Sequence, residues 1–210
     1  MKNLIVVFTI LISSTISAQL FSQTGIKIGG VFSNQTWDYA PQLNIIFEPD
    51  SRPGFYAGVF TSLIHLPILS IEGELYYAQR GMKIDIPTTT TTNPDGIGSM
   101  TWDTRLDYIG IALLAKAKMN LGLFTPYILA GPKYESEIAA HYSFGVANPV
   151  EKKFNKERIG LRIGGGTEID FGGYRTLFEI TYDHDFNSIY EEEQLIVNTN
   201  SIEIKLGVLL

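Results

Sequence analysis

The chain has no cysteine among its 210 residues. A disulfide framework, the usual support of small exported proteins, is therefore excluded, and stability must come from a core or from a bilayer. Past the first eighteen residues no apolar run is long enough to cross a membrane as a helix. The longest candidate, Ile109 to Ala115, is stopped by Lys116, whereas a spanning helix needs about 18 or more apolar residues. Windows rich in Ala, Leu, Glu and Lys at helical spacing are also missing. A basic excess is lacking too: 16 Lys and Arg stand against 22 Asp and Glu, a formal charge of −6, which argues against a nucleic-acid partner. Only three histidines occur, so material for acid–base or metal chemistry is thin.

What is present begins with an export signal. Lys2 forms a short positive start, Leu4 to Ile12 is an apolar stretch, and Ser13, Ser14, Ser17 and Ala18 supply small residues. This predicts a signal peptide over 1–18 with cleavage after Ala18, leaving one domain over 19–210. Tyr and Phe together are abundant, at 11 and 12, and Gly reaches 20. Period-2 alternation dominates the rest. At the end of the sequence Ile202, Ile204, Leu206, Val208 and Leu210 alternate with Ser201, Glu203, Lys205 and Gly207, the pattern of a strand with a different solvent on each side.

Eight such segments can be read, at about 24–34, 54–64, 69–85, 105–118, 124–137, 157–170, 174–186 and 197–210. Pro126 and Pro132 interrupt the fifth, and both faces of the second are largely apolar, so its facing stays open. The tight connections at 65–68, 119–123 and 171–173 alternate with long ones at 35–53, 86–104, 138–156 and 187–197. Outer-membrane barrels have short periplasmic turns and longer outer loops. The expected fold is therefore all-β: an eight-stranded antiparallel up-and-down transmembrane β-barrel, with both termini periplasmic. The threonine run at 88–92, followed by Asn93-Pro94-Asp95-Gly96, reads as a solvated turn. Glu151-Lys152-Lys153 and Glu191-Glu192-Glu193 read as solvated charge.

The two faces of these segments differ sharply. Ile26, Ile28, Leu69, Ile71, Leu75, Ile109, Ile111, Leu113, Ile159, Leu161, Ile163, Phe178, Ile180, Ile202, Ile204, Leu206 and Val208 form the expected lipid-facing set. Lys27, Glu72, Glu74, Arg80, Lys116, Arg162, Glu168, Glu179, Glu203 and Lys205 form the opposite, inward set. An eight-stranded barrel is about wide enough for side chains to fill. Charges enclosed there need partners, so an ion-pair plug is expected rather than an open pore. Mean hydropathy near zero, +0.09, fits such a two-faced wall. Tyr76, Tyr77, Trp102, Tyr108, Tyr127, Tyr134 and Tyr182 are candidates for an interfacial girdle where they point outward.

Candidate chemistry is sparse. Gly164-Gly165-Gly166 is followed by strand-like sequence rather than by a helix, so it is not a phosphate loop. In Asp183-His184-Asp185 the carboxylates share one face and the imidazole points away, a poor arrangement for a carboxylate–histidine pair or a metal, and the cluster reads as a solvated rim. With Ser188 it forms a crude Ser/His/acid set, the basis of an alternative reading as a lipid-modifying barrel enzyme. A second alternative is a secreted lipocalin-like binding barrel, with the opposite facing.

Several segments resemble a known family: Gly54-Phe55-Tyr56-Ala57-Gly58-Val59-Phe60, Leu69 through Lys83, Leu106 through Lys116, and Pro126-Tyr127-Ile128-Leu129-Ala130-Gly131-Pro132. In order and spacing they are similar to the PorT-like outer-membrane β-barrel proteins. Gly110-Ile111-Ala112 stands where that family commonly has Glu-Ile-Pro, and Leu210 where it commonly ends in an aromatic. The resemblance implies a Bacteroidetes-type outer-membrane protein of OmpX- or OmpA-like shape, with no catalytic residues to carry over. The expected role is non-enzymatic and cofactor-free: structural, adhesive or accessory to a cell-envelope or secretion complex. Its expected partners are outer-membrane lipid and, through the long loops, other envelope proteins.

Overall fold

The computed structural model describes residues 23–90, 93–143 and 150–210, with the backbone alone at 88–90 and 93–97. The expected signal peptide at 1–18 lies outside the described residues. Nine strands follow in order: β1 (Thr24–Tyr39), β2 (Asp50–His65), β3 (Leu69–Thr90), β4 (Asn93–Lys118), β5 (Phe124–Tyr142), β6 (Glu157–Asp170), β7 (Arg175–Asp185), β8 (Tyr190–Glu192) and β9 (Leu195–Leu209). Each of β1 to β6 pairs antiparallel with the next, β7 pairs with β9, and β9 returns to β1 from Gly25↔Leu209 to Tyr39↔Leu195. The result is a closed up-and-down ring of eight strands. The three-residue β8 lies outside the ring, paired only with β9. Closure leaves the ring no edge, the condition under which a sheet can cross a bilayer.

The turns that end each hairpin on the terminus side are short. Gly122 and Gly172 adopt φ of +84° and +81° there, a left-handed conformation that costs glycine little. In the second of these turns the Asp170 carboxylate accepts bonds from the Gly172 N–H at 2.8 Å and the Arg175 guanidinium at 2.9 Å. These contacts hold its pKa below the ordinary value.

One sequence expectation needs correction, and two points the sequence left open are resolved. First, 86–104 is not a loop. β3 and β4 continue as a ribbon, pairing Ile86↔Met100 and Thr90↔Asn93, and Asn93-Pro94-Asp95-Gly96 belongs to β4. Proline is tolerated there because pairing of β4 with β5 starts only at Thr104↔Tyr142, which leaves the outer edge of the ribbon free. Second, β5 runs through both prolines. Its pairing to β4 steps from Ala112↔Lys133 to Ala115↔Ala130, passing over Gly131 and Pro132, so the missing N–H of Pro132 interrupts the ladder at one place only. Third, β2 has a definite facing: Tyr56, Phe60 and Ser62 point inward and are buried, while Phe55 and Val59 are exposed. Its inner face carries rings instead of charges, which hid the alternation.

Of the seventeen outward candidates, Ile71 and Leu161 are half-buried and the other fifteen are exposed. The outer wall is apolar from Ile109 toward the turn end of β4 and becomes charged at Asp107, which meets Arg105 at 3.2 Å and His141 at 3.4 Å. This facing is the reverse of a soluble binding barrel.

Candidate functional site

The interior is the chemically dense part of the molecule. Inward positions bring seven cations (Lys27, Arg80, Lys116, Lys133, Arg158, Arg162, Lys205) together with eight carboxylates (Glu72, Glu74, Glu135, Glu168, Glu179, Asp183, Asp185, Glu203), all buried. Nearest the turns, Lys27 Nζ lies 2.7 Å from Glu72, 3.3 Å from Glu74 and 3.1 Å from Glu179. Lys116 meets Glu72 at 2.8 Å and Glu168 at 3.6 Å. Its ammonium sits 4.2 Å from the Tyr127 ring centroid, while the Tyr127 hydroxyl donates to Glu179 at 3.1 Å.

The middle of the lumen is built on arginine. Arg162 holds Glu74 at 2.8 Å, Asp183 at 2.8 Å and Glu203 at 3.1 Å. Arg80 holds Glu135 and Asp183 at 2.7 Å and Glu203 at 3.0 Å, and donates to the Ser201 hydroxyl. A planar guanidinium fork suits such multiple carboxylate contacts. Tyr56 and Tyr76 stack with centroids 5.4 Å apart. Arg162 lies over Tyr76 at 4.4 Å and Lys205 over Tyr56 at 4.4 Å. Glycine makes room for these rings: a Cβ on Gly110 would fall 2.5 Å from Tyr76, and one on Gly166 would fall 2.7 Å from the Tyr127 hydroxyl. The triple glycine of β6 is thus a packing feature within a strand, not an anion loop.

Toward the loops, Lys133 bridges Glu135 at 2.9 Å and Asp185 at 2.7 Å. Arg158 pairs with Asp185 at 3.0 Å and donates to Tyr108 Oη at 2.5 Å. Above this level the filling changes character. Trp37, Met82, Leu106, Tyr108, Phe154, Ile189, Tyr190, Leu195 and Val197 form one buried apolar cluster, with Tyr39, Phe47, Trp102, Ala140 and Val150 packed against it. Trp37 is its hub, with ring centroids 4.9 Å from Phe47, 6.0 Å from Trp102 and 6.2 Å from Phe154. Around this cap the loop end carries Asp38, Glu48, Asp50, Asp85, Asp103, Asp107, Glu137, Glu151, Glu157, Glu191, Glu192 and Glu193 against Arg52, Lys83, Arg105, Lys152, Lys153 and Lys156. Among side chains the structure describes, the acidic excess therefore gathers at this end.

All ten inward candidates read from the sequence lie in this interior, each in at least one ion pair. Five members were missed. Asp183 and Asp185 are not a solvated rim: they are buried against Arg162, Arg80, Lys133 and Arg158. Their shared face was legible, but the depth of that face was not. Arg158 follows from extending the Gly160 and Arg162 parity by one step. Lys133 and Glu135 were hidden by the prolines of β5. Tyr76, Tyr108 and Tyr127 point inward, so they cannot belong to a girdle; Tyr134 and Tyr182 are exposed on the outer wall. The candidate Ser/His/acid set does not assemble. His184 points out beside Phe186, Ser188 donates to Asn198 Oδ1 at 2.9 Å, and the flanking aspartates face the lumen.

Comparison with known proteins agrees with this architecture. No functionally curated protein matches the sequence. Among solved structures, Neisserial surface protein A is similar with a TM-score of 0.50 at 14% identity, covering 89% of this chain and 96% of that one. The outer membrane protein OprG from Pseudomonas aeruginosa is similar with a TM-score of 0.50 at 13% identity, covering 90% and 97%. Residues 13–191 match the model of the outer membrane protein beta-barrel domain. The chain belongs to that outer-membrane β-barrel family.

Proposed function

We propose that this is a non-enzymatic outer-membrane barrel whose lumen is closed by its own ion pairs and whose working surface is the loop end. Its role is structural, adhesive or accessory to a cell-envelope complex, in line with the PorT-like resemblance. The observation that carries the reading is the interior itself: fifteen buried ionic side chains, tied wall to wall by contacts such as Arg162–Glu74 and Arg80–Glu203. A solute path would have to break several such pairs at once, each costing about 3–5 kcal/mol when one partner is lost. The reading includes an export signal over 1–18, periplasmic termini and an outer wall in contact with lipid.

Planar-bilayer recordings of the purified chain test it. The expected record shows no discrete conductance above the lipid background; stable channel steps would overturn the closed lumen. N-terminal sequencing of protein extracted from outer membranes is expected to start at Gln19. The His184→Ala and Ser188→Ala variants are expected to leave lipid A and phospholipid profiles unchanged.

A further inference from the structure

We propose that the loop end docks a basic, amphipathic segment of another protein, an inference that rests on the outer-membrane reading above. Two segments present aliphatic side chains to water there. The β1–β2 connection exposes Ile45 and Ile46, the latter at 85%. The β3–β4 ribbon exposes Ile86 and Met100, which pair across it on the face that continues the lumen side. Phe47 and Trp102, whose rings lie 5.6 Å apart, join the two segments and root both in the buried cap. The patch is therefore preorganised, which lowers the ordering cost of binding.

Exposed aliphatics gathered on an ordered base mark an interaction surface, and the surroundings select its occupant. Met100 lies seven residues beyond Asp107, where the outer wall turns charged. At about 3.3 Å per residue that places it about 20 Å along the strand past the apolar belt, away from hydrocarbon. A second copy would bring the same acidic excess against itself. Carboxylates border the patch: Asp85, next to Ile86, accepts a hydrogen bond at 2.5 Å from the hydroxyl of Thr101, the neighbour of Met100, and the exposed Glu48 and Asp50 closely follow Ile46. Apolar centre and acidic border together fit a partner that alternates Leu- or Ile-like residues with Lys or Arg.

The test uses the full chain in phosphatidylcholine nanodiscs and three labelled synthetic peptides: Lys/Leu amphipathic, Lys/Ser polar and Glu/Leu amphipathic. The Lys/Leu peptide is expected to bind barrel-loaded discs about tenfold more tightly than empty discs, and more tightly than either control peptide. Ile46→Ser combined with Met100→Ser is expected to weaken that binding about tenfold. Replacing Glu48 with Gln and Asp50 and Asp85 with Asn is expected to weaken it several-fold and to flatten its salt dependence. Heat-modifiable gel mobility reports that each variant is folded. Binding equal to that of empty discs, equal binding of either control peptide, or indifference to both sets of substitutions overturns the proposal. Conductance measured on the same preparation separates the outcomes: a silent barrel that ignores the Lys/Leu peptide sinks the partner class alone, whereas a conducting one sinks the closed-lumen reading.

Discussion

One tube holds two kinds of filling, and they obey opposite rules. Below Tyr108 the interior is built on ion pairs interleaved with rings and a few aliphatic side chains such as Val31, Leu114 and Leu129, and its members sit at alternate positions of the ring strands. Above Tyr108 it is apolar and is assembled from strand ends and connections. The Arg158 guanidinium, 4.5 Å from the Tyr108 ring centroid, marks the border. The difference follows from what lies outside the wall. Where the wall is apolar outward, burying more apolar surface inward would not distinguish one strand register from another. A one-residue slip in a strand such as β9 would turn Glu203 and Lys205 outward, so charge on alternate residues fixes the register. Where the wall is in water, ordinary burial of Trp37, Phe154 and Leu195 supplies the driving force. The lumen specifies and the cap condenses.

The largest expected effect breaks the lumen. Arg162→Ala strands Glu74, Asp183 and Glu203 with one fewer cation. It should cost about 5 kcal/mol, the upper end for an orphaned buried charge, read as a drop in the thermal midpoint of the heat-modifiable form. A loss below about 1 kcal/mol would show that water or rearranged lysines carry the middle layer. Trp37→Ala tests the cap and should cost about 3 kcal/mol, at the low end for aromatic truncation, because the connections around it can settle inward. The two losses should separate by protease cleavage at the loop end, which Trp37→Ala exposes and Arg162→Ala leaves protected until the barrel opens. Equal protease patterns would mean that the two fillings unfold as one unit.

These regions were not equally legible in the sequence. The ring, its closure and the inward charges of β3, β6 and β9 could be read because period-2 alternation is a local property. Glu203 and Lys205 announce their face through their immediate neighbours. The cap could not be read that way. Trp37, Met82, Phe154 and Leu195 come from four distant segments, and only the closed barrel brings them together. The ribbon of β3 and β4 was concealed by threonine, proline and Asn-Pro-Asp-Gly, which favour turns locally yet are accepted on an unpaired edge. Asp183 and Asp185 fell between the cases: parity was visible, but their height in the lumen depends on strand tilt and register, which alternation does not encode.

A smaller effect is expected where wall and lumen touch. Gly110→Ala places a methyl 2.5 Å from Tyr76, whose hydroxyl donates to Glu135 at 3.1 Å. The ring must shift off its stack with Tyr56, an overpacking cost of about 1–2 kcal/mol, measurable as a modest fall in the unfolding midpoint. Combining it with Tyr76→Phe should give less than the sum of the two single losses, since both act through the same ring. Full additivity would place the strain elsewhere.

The smallest effect is the sharpest control on the comparison. Lys153 Nζ and Glu192 Oε1 lie 2.8 Å apart at the loop end, the same separation as Arg162 and Glu74 in the lumen. Distance alone would rank the two pairs equally. Surroundings do not: the loop pair is exposed on both sides, where water screens the attraction and two long side chains lose freedom in making it. The hydrogen bond to Lys153 depresses the Glu192 pKa, so any contribution from Glu192 is present above its unfolded pKa and fades as pH falls through the folded one. The same bond raises the Lys153 pKa, so the contribution from Lys153 is present below its unfolded pKa and fades as pH rises through the folded one. At neutral pH both contributions are fully present, the best case for the pair. Even there Lys153→Ala should leave the unfolding midpoint unchanged within error, in low salt as in high. A loss comparable with that of Arg162→Ala would mean that burial does not separate the two regions.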